Sequence, residues 1–250
     1  AQPIDLALSI RRVYVYLLTS FGLVLLAIGI GVVVRMALGS AYHALFGGPP
    51  LLAGSFSIWS RATQTALAMA LVGLGVWWWH WHRLARRDFE SSLRQIYLYL
   101  FAVLAGAATV VASLSVLVYH LLQWFIGRPE ASSPLLHFDV VPGLIAAVTV
   151  GGGMWGYHRA VVREEVRAPI PGRTLLPEAQ ERVQVARRVY GYLVSAVGMV
   201  TLGVGLVVLF ATVIGLLAPA SGRELTGDDP WRNPLALSIT LLLVGVPPFV

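Results

Sequence analysis

Residues 77–83 read WWWHWHR and close an apolar run that begins near residue 62. Such a stretch fits either an aromatic cage around a ligand or the belt of rings where a helix leaves a membrane. Tryptophan is favoured at that boundary, because its ring stays in lipid while its N–H reaches water. Arg83 follows as a cation that can reach lipid phosphates. The stretch therefore predicts a membrane boundary rather than a chemical centre.

Composition points the same way. The 250 residues are 57% hydrophobic and only 12% charged, whereas soluble domains carry roughly a quarter charged residues. All 18 basic residues are arginine, a thermophile-like bias of genome or growth temperature. The chain has no cysteine, which excludes disulfides and thiolate metal sites. Its net charge of +6 lies in loops beside apolar segments, so the expected partner is an anionic bilayer and not nucleic acid.

Apolar segments set the predicted fold class, an all-α polytopic transmembrane helix bundle. They cover about 13–38, 62–82, 96–126, 140–160, 189–217 and 234–250. The first five reach the roughly 20 residues that cross a bilayer as a helix. The sixth stops at the chain end and reads as a truncated span. PEAQERVQVARR at 177–188 predicts a helix that begins at Pro177 and runs into the fifth span. Asn233-Pro234 predicts the N-cap and the first helical residue of the sixth.

Arginine distribution predicts the orientation. Thirteen of the 18 arginines fall on one side of the predicted spans, and the other side holds Arg35, Arg61, Arg128, Arg223 and Arg232. By the positive-inside rule the rich side is cytoplasmic. We therefore expect a multi-pass protein of the bacterial cytoplasmic (inner) membrane with a cytoplasmic N-terminus.

Internal repeats organise the chain. RRVYVYL at 11–17 recurs as RQIYLYL at 94–100 and RRVYGYL at 187–193. The exit motif Trp79-x-Trp81-His82-Arg83 recurs as Trp155-x-Tyr157-His158-Arg159. Three two-helix repeats follow, at 1–90, 91–176 and 177–250, the last incomplete, with an aromatic–histidine–arginine exit expected after Val250. Two spans per repeat give parallel copies, all inserted the same way up.

Aromatic residues of these motifs are the predicted anchors at the membrane interface. They are Tyr14, Tyr16, Tyr97, Tyr99, Tyr190, Tyr192, Trp79, Trp81, Trp155 and Tyr157. His82 and His158 offer a sharper alternative, since two equivalent histidines could ligate a haem axially. The sequence predicts no catalytic residue, no metal site and no cofactor. Small residues such as Gly22, Gly29 and Gly152-x3-Gly156 predict close helix packing.

The R-x-[VI]-Y-x-Y-L helix start paired with the W-x-[WY]-H-R exit resembles an uncharacterised bacterial family. Its members are integral membrane proteins of repeated two-helix units, classed as a domain of unknown function and frequent in Chloroflexota-type bacteria. The resemblance covers nearly the whole chain, and it implies no activity, cofactor or catalytic residue. Gly156 and Tyr157 depart from the pattern, standing where the first repeat has His80 and Trp81.

Function is predicted by exclusion. No Asp or Glu falls in a span centre, which argues against an ion-coupled pump. We expect a non-enzymatic membrane protein, a structural or accessory subunit of a larger complex, whose partners are lipid and other membrane subunits or further copies of itself. A passive channel or transporter is one alternative. A redox subunit that binds haem, quinone or pigment through His82 and His158 is the other.

Overall fold

The computed structural model describes residues 6–47, 59–86, 88, 91–167, 177–217 and 229–246. Eight α-helical segments occur in this part of the chain: α1 Leu6–Phe46, α2 Arg61–Trp78, α3 Ser92–Gln95, α4 Ala105–Phe125, α5 Pro134–His137, α6 Val141–Arg167, α7 Pro177–Leu217 and α8 Arg232–Gly245. Two wider π-helical stretches lengthen them, Trp79–Ala85 after α2 and Ile96–Leu104 between α3 and α4. The described residues contain no strand. The all-α prediction is confirmed.

Four helical segments are long and apolar enough to cross a membrane: Ser9–Phe46, Ser92–Phe125, Pro134–Glu164 and Arg188–Leu217. They coincide with the first, third, fourth and fifth predicted spans. The other two predicted spans form helices in the predicted places but are not among the four. α2 opens with Arg61, Thr63 and Gln64, which lowers its mean hydropathy, and α8 has 14 residues.

Helix ends follow local chemistry. Ser60 caps α2, its Oγ accepting the N–H of Thr63 at 3.2 Å, which satisfies one of the unpaired donors of the first turn. α7 begins at Pro177 and runs through the fifth span without a break, as predicted. The cap prediction for Asn233 is wrong, because α8 already begins at Arg232. The side-chain oxygen of Asn233 instead accepts the N–H of Arg128 at 2.7 Å.

Contacts divide the chain into two compact units, Ala1–Val110 with Ile145–Tyr190, and Val111–Leu144 with Gly191–Val250. The core of the first unit contains Val15, Tyr16, Leu23, Trp77, Trp81, Ala85, Tyr97, Leu98, Ala102 and Val161. The three-repeat division at 1–90, 91–176 and 177–250 stays a prediction. The proline-broken loop at 168–176 and the exit expected after Val250 lie outside the described residues.

Glycines hold α1 against α2 in the first unit. A Cβ built on Gly22 would lie 2.6 Å from the backbone N of Trp77, and one on Gly29 would lie 2.5 Å from the backbone N of Ala70. On the facing helix, a Cβ on Gly73 would lie 2.4 Å from the backbone N of Leu26. Main chain therefore touches main chain, the packing that small residues permit between membrane helices.

The second unit repeats this packing at equivalent positions of α7 and α8. A Cβ on Gly245 would lie 2.9 Å from the backbone N of Leu202, and one on Gly205 would lie 3.3 Å from the backbone N of Leu242. The sequence repeat pairs Gly245 with Gly73 and Gly205 with Gly29. The two hairpins thus share one antiparallel register, which supports the repeat prediction.

Between α4 and α6 the close contact lies elsewhere than predicted. Gly151 packs against Gly106 and Thr109, whereas a Cβ on Gly156 would meet nothing within 4 Å. The predicted Gly152-x3-Gly156 pair therefore does not form the contact between these helices.

Candidate functional site

The four tryptophans at 77–81 divide between two environments. Trp77 and Trp81 are buried, with 8% and 0% of their surface exposed, whereas Trp78 and Trp79 are more than half exposed. Residues four apart share a helix face, so the first pair points into the first unit and leaves the second pair outside. Half of the tryptophans in this stretch are therefore exposed, and half belong to the core of the first unit.

The buried half begins a chain of hydrogen bonds. The indole N–H of Trp77 donates to the Tyr97 hydroxyl over 3.0 Å, and that hydroxyl lies 3.0 Å from Nε2 of His158. Nδ1 of His158 lies 2.8 Å from the carbonyl oxygen of Met154. Since a carbonyl only accepts, Nδ1 carries the proton, Nε2 accepts, and Tyr97 donates. Each hydrogen-bonding atom of Trp77, Tyr97 and His158 then has a partner, and all three side chains are neutral.

A second chain runs beside the first. The indole N–H of Trp81 donates to the Tyr157 hydroxyl over 2.9 Å, which lies 3.4 Å from Nε2 of His82. Ring contacts join the two chains: the Trp77 and Tyr157 centroids are 5.5 Å apart and the Trp81 and Tyr97 centroids 5.1 Å apart. Edge and tilted packing at these distances adds to the hydrogen bonds. We call Trp77, Trp81, Tyr97, Tyr157 and His158 the aromatic network.

Both π-helical stretches contribute to this network. Trp81 lies in Trp79–Ala85 and Tyr97 in Ile96–Leu104. The wide turn shows in the bond from the N–H of Arg86 to the carbonyl of Trp81, five residues earlier, at 2.8 Å. π-Helical turns are rare and often occur at functional sites. Here they set the directions in which Trp81 and Tyr97 point.

An ion pair closes the network at the start of α1. Arg12 lies 3.1 Å from one carboxylate oxygen of Asp88, and the Tyr16 hydroxyl donates to the other over 3.4 Å. Tyr16 also lies 3.4 Å from the carbonyl of Ala85. These contacts fix α1 to the end of the Trp79–Ala85 stretch.

Comparison with known families gives a match over most of the chain. The chain matches the family described as a domain of unknown function, DUF5671, over residues 12–153 and 188–250. The chain belongs to this family. Comparison with curated proteins and with solved structures gives no match.

The DUF5671 match covers Trp77, Trp81 and Tyr97 but stops before Tyr157 and His158. The network in this DUF5671 protein therefore joins residues inside the matched segments to residues outside them. The resemblance found from the tyrosine and tryptophan motifs is confirmed as a family of unknown function that covers nearly the whole chain.

The ten predicted anchors fall into three groups in this DUF5671 protein. Tyr14, Trp79 and Tyr192 are exposed, and Tyr99, Trp155, Tyr157 and Tyr190 are partly buried. Tyr16, Trp81 and Tyr97 are buried at 6%, 0% and 2% exposure. The polar tips of these three side chains find partners inside the protein. Anchoring by the exposed rings stays a prediction.

His158 is buried, with 1% of its surface exposed. Both of its ring nitrogens already have partners, Tyr97 and Met154. A haem iron would have to displace the Tyr97 hydroxyl to reach Nε2. Among the described residues, no three His, Cys, Asp or Glu side chains gather where they could hold a metal. The arrangement suits packing better than axial ligation.

Sequence reasoning missed Trp77, Asp88 and Arg94. Trp77 precedes Trp81 by four residues, a spacing that could have placed it on the same buried face. Asp88 follows the arginines of the exit motif and resembled a solvated charge. Arg94 is fully buried, and its position in the repeated R-x-[VI]-Y motif carries no signal that separates it from Arg11.

The second unit has a smaller aromatic cluster around the short helix α5. The His137 ring donates from Nε2 to the carbonyl of His120 over 2.9 Å, and its centroid lies 5.3 Å from Trp124. Ser133 caps α5 by accepting the N–H of Leu136 at 3.4 Å. The cluster ties α5 to the end of α4.

Proposed function

We propose that this protein is a non-enzymatic integral membrane protein that serves as a structural or accessory subunit of a larger membrane complex. The single observation that carries the proposal is that the surface of α7 is largely exposed. Only 6% of the most apolar part of Arg188–Leu217 is buried by the chain itself, against 22% in each of the other three spans. A Cβ on Gly191, Gly203 or Gly215 would meet nothing within 4 Å. Glycine at bare positions suits close approach by a helix of another subunit.

The aromatic network supports a structural role. Its hydroxyls, indole N–H groups and imidazole nitrogens are hydrogen-bonded to one another, to His82 or to the Met154 carbonyl, so each already has a partner within the protein. Catalytic groups need a reachable acid, base or nucleophile. A network satisfied in this way fixes the mutual orientation of α2, the two π-helical stretches and α6, and so prepares their outer faces for partners.

Copurification tests this function. Mild-detergent purification of the full chain from its native membrane, followed by mass spectrometry, should recover at least one further membrane protein at a fixed ratio. Gly203→Leu should lower that recovery several-fold, because a leucine there blocks close approach without touching the chain's own helices. Val207→Leu, one turn further along the exposed face, is the matched control and should leave recovery unchanged.

Two results would contradict the accessory role. A pure homo-oligomer that carries ion flux in liposomes would support the passive channel. A Soret band in the purified chain, lost in His82→Ala or His158→Ala, would support the redox subunit. Equal partner recovery with Gly203→Leu and Val207→Leu would show that the partner does not bind at this face of α7.

We further propose that the membrane is the bacterial cytoplasmic membrane and that the N-terminus is cytoplasmic. The chain has no cysteine, so a single thiol reports one position. Ser9→Cys lies at the start of α1 and Leu45→Cys near its end, both at exposed positions. A membrane-impermeant thiol reagent should label Leu45→Cys in intact spheroplasts and Ser9→Cys only after permeabilisation. The reverse labelling would invert the topology.

A further inference from the structure

A groove of about 450 Å³ runs along the last turns of α6. Its described wall residues are Trp155, Gly156, Arg159, Ala160, Arg163 and Glu164. The apolar span Pro134–Glu164 ends within the last turn of α6, so the groove lies at the expected membrane boundary. Its wall is apolar toward the span and charged toward the helix end.

Gly156 opens this groove. A Cβ at this position would meet nothing within 4 Å. In the first repeat the equivalent residue is His80, whose ring bonds back to the carbonyl of Val76 at 2.8 Å and packs edge-on against Tyr14. The imidazole thus covers, on the Trp79–Ala85 stretch, the surface that Gly156 leaves open on α6.

Two cations beside the groove have no acidic partner among the residues that the structure describes. The Arg159 guanidinium lies over the Trp155 ring, 5.1 Å from its centroid, and Arg163 is exposed one turn further on. Neither forms an ion pair with any residue in the described part of the chain. The one acidic wall residue, Glu164, pairs with Arg86 at 3.6 Å. The two unpaired positive charges therefore face the boundary one helical turn apart.

We propose that this groove binds an anionic phospholipid, with the phosphate between Arg159 and Arg163 and an acyl chain beside Gly156 and Ala160. Guanidinium groups pair with phosphate through charge-assisted hydrogen bonds. The apolar end of the groove continues into the apolar span, at the depth where acyl chains lie in a bilayer. Charge complementarity and depth together select a lipid as the occupant. The proposal depends on the membrane location of α6 and not on the accessory role.

Native mass spectrometry tests the site on the full chain in mild detergent. We expect phosphatidylglycerol to stay bound and phosphatidylcholine to dissociate. Each arginine near an anionic surface contributes about fivefold in affinity, so Arg159→Gln with Arg163→Gln should weaken phosphatidylglycerol binding roughly twenty- to thirtyfold. Glu164→Gln should strengthen it, since it removes the one carboxylate of the wall.

Gly156→His is the decisive variant, because it places the imidazole of the first repeat in the groove. Binding of phosphatidylglycerol should fall at least about fivefold, with the unfolding temperature unchanged. Gly153→His is the matched control: it changes another open position of α6 outside the groove wall and should bind as the wild type does.

Three outcomes would overturn the proposal. Equal retention of phosphatidylcholine and phosphatidylglycerol would show that the groove does not select an anionic headgroup. Displacement of the lipid by inorganic phosphate at matched concentration would reduce the site to a free-anion site. A lipid-independent dimer that Gly156→His abolishes would assign the groove to a second copy of this chain.

Discussion

Gly73→Leu is expected to separate α1 from α2 and to destabilise the first unit by about 3 kcal/mol or more. A Cβ at this position would lie 2.4 Å from the backbone N of Leu26 and 2.8 Å from the carbonyl oxygen of Gly22. Backbone atoms cannot rotate away as a side chain can, so the helices themselves must move apart. Every close contact along the hairpin would then lengthen, including those of Gly22 and Gly29. Thermal unfolding in mild detergent measures the loss.

The same helix supplies the control. Gly75 is two residues further on, and a Cβ there would meet nothing within 4 Å. Gly75→Leu adds the same apolar side chain and the same gain in helix propensity, yet should leave the unfolding temperature unchanged or raise it. Similar losses in both variants would show that the hairpin does not depend on the contact at Gly73.

Tyr97→Phe is expected to destabilise the first unit by about 2 kcal/mol or more, although it removes a single oxygen. That oxygen accepts from the Trp77 N–H, and its proton goes to Nε2 of His158. Both partners would stay buried without a hydrogen bond. Each such group costs about 1–3 kcal/mol. The free energy of unfolding in a detergent titration reports the change.

Tyr14→Phe is the matched comparison, because Tyr14 occupies the same place in the first repeat. Its side chain is 59% exposed, so its hydroxyl keeps its contacts with water or headgroups whatever the protein does. The substitution should alter stability by less than about 0.5 kcal/mol. A loss as large as that of Tyr97→Phe would mean that the motif, and not the buried network, determines the effect.

Positions of the helices could be predicted from sequence because a bilayer demands long apolar runs. All six predicted segments are helical where the structure describes them, and α7 begins at the predicted Pro177. The hydropathy of an apolar segment predicts that the segment can cross a membrane, but it does not predict the direction in which each side chain points. Tyr14, Tyr97 and Tyr190 occupy one motif, yet they are exposed, buried and partly buried respectively. The exposure of each tyrosine depends on whether another helix packs against it.

The aromatic network was beyond prediction for a related reason. Trp81 and Tyr97 reach it from π-helical turns, and neither stretch contains a proline or glycine to signal the wider turn. Aromatic and histidine residues at a helix end suit both a lipid-facing belt and a protein core. Only the placement of Tyr157 and His158 on a helix distant in sequence distinguishes the two.

The glycine contacts of the α1–α2 and α7–α8 hairpins leave most of each helix surface unconstrained. The crossing of the two helices in each hairpin is set by two of the four glycines Gly29, Gly73, Gly205 and Gly245. The residues between them need only remain hydrophobic enough for a bilayer. Outward-facing side chains can therefore drift from copy to copy while the crossing persists. A hairpin of this kind can acquire new partners on its outer surface while the glycine contacts between its own two helices stay the same.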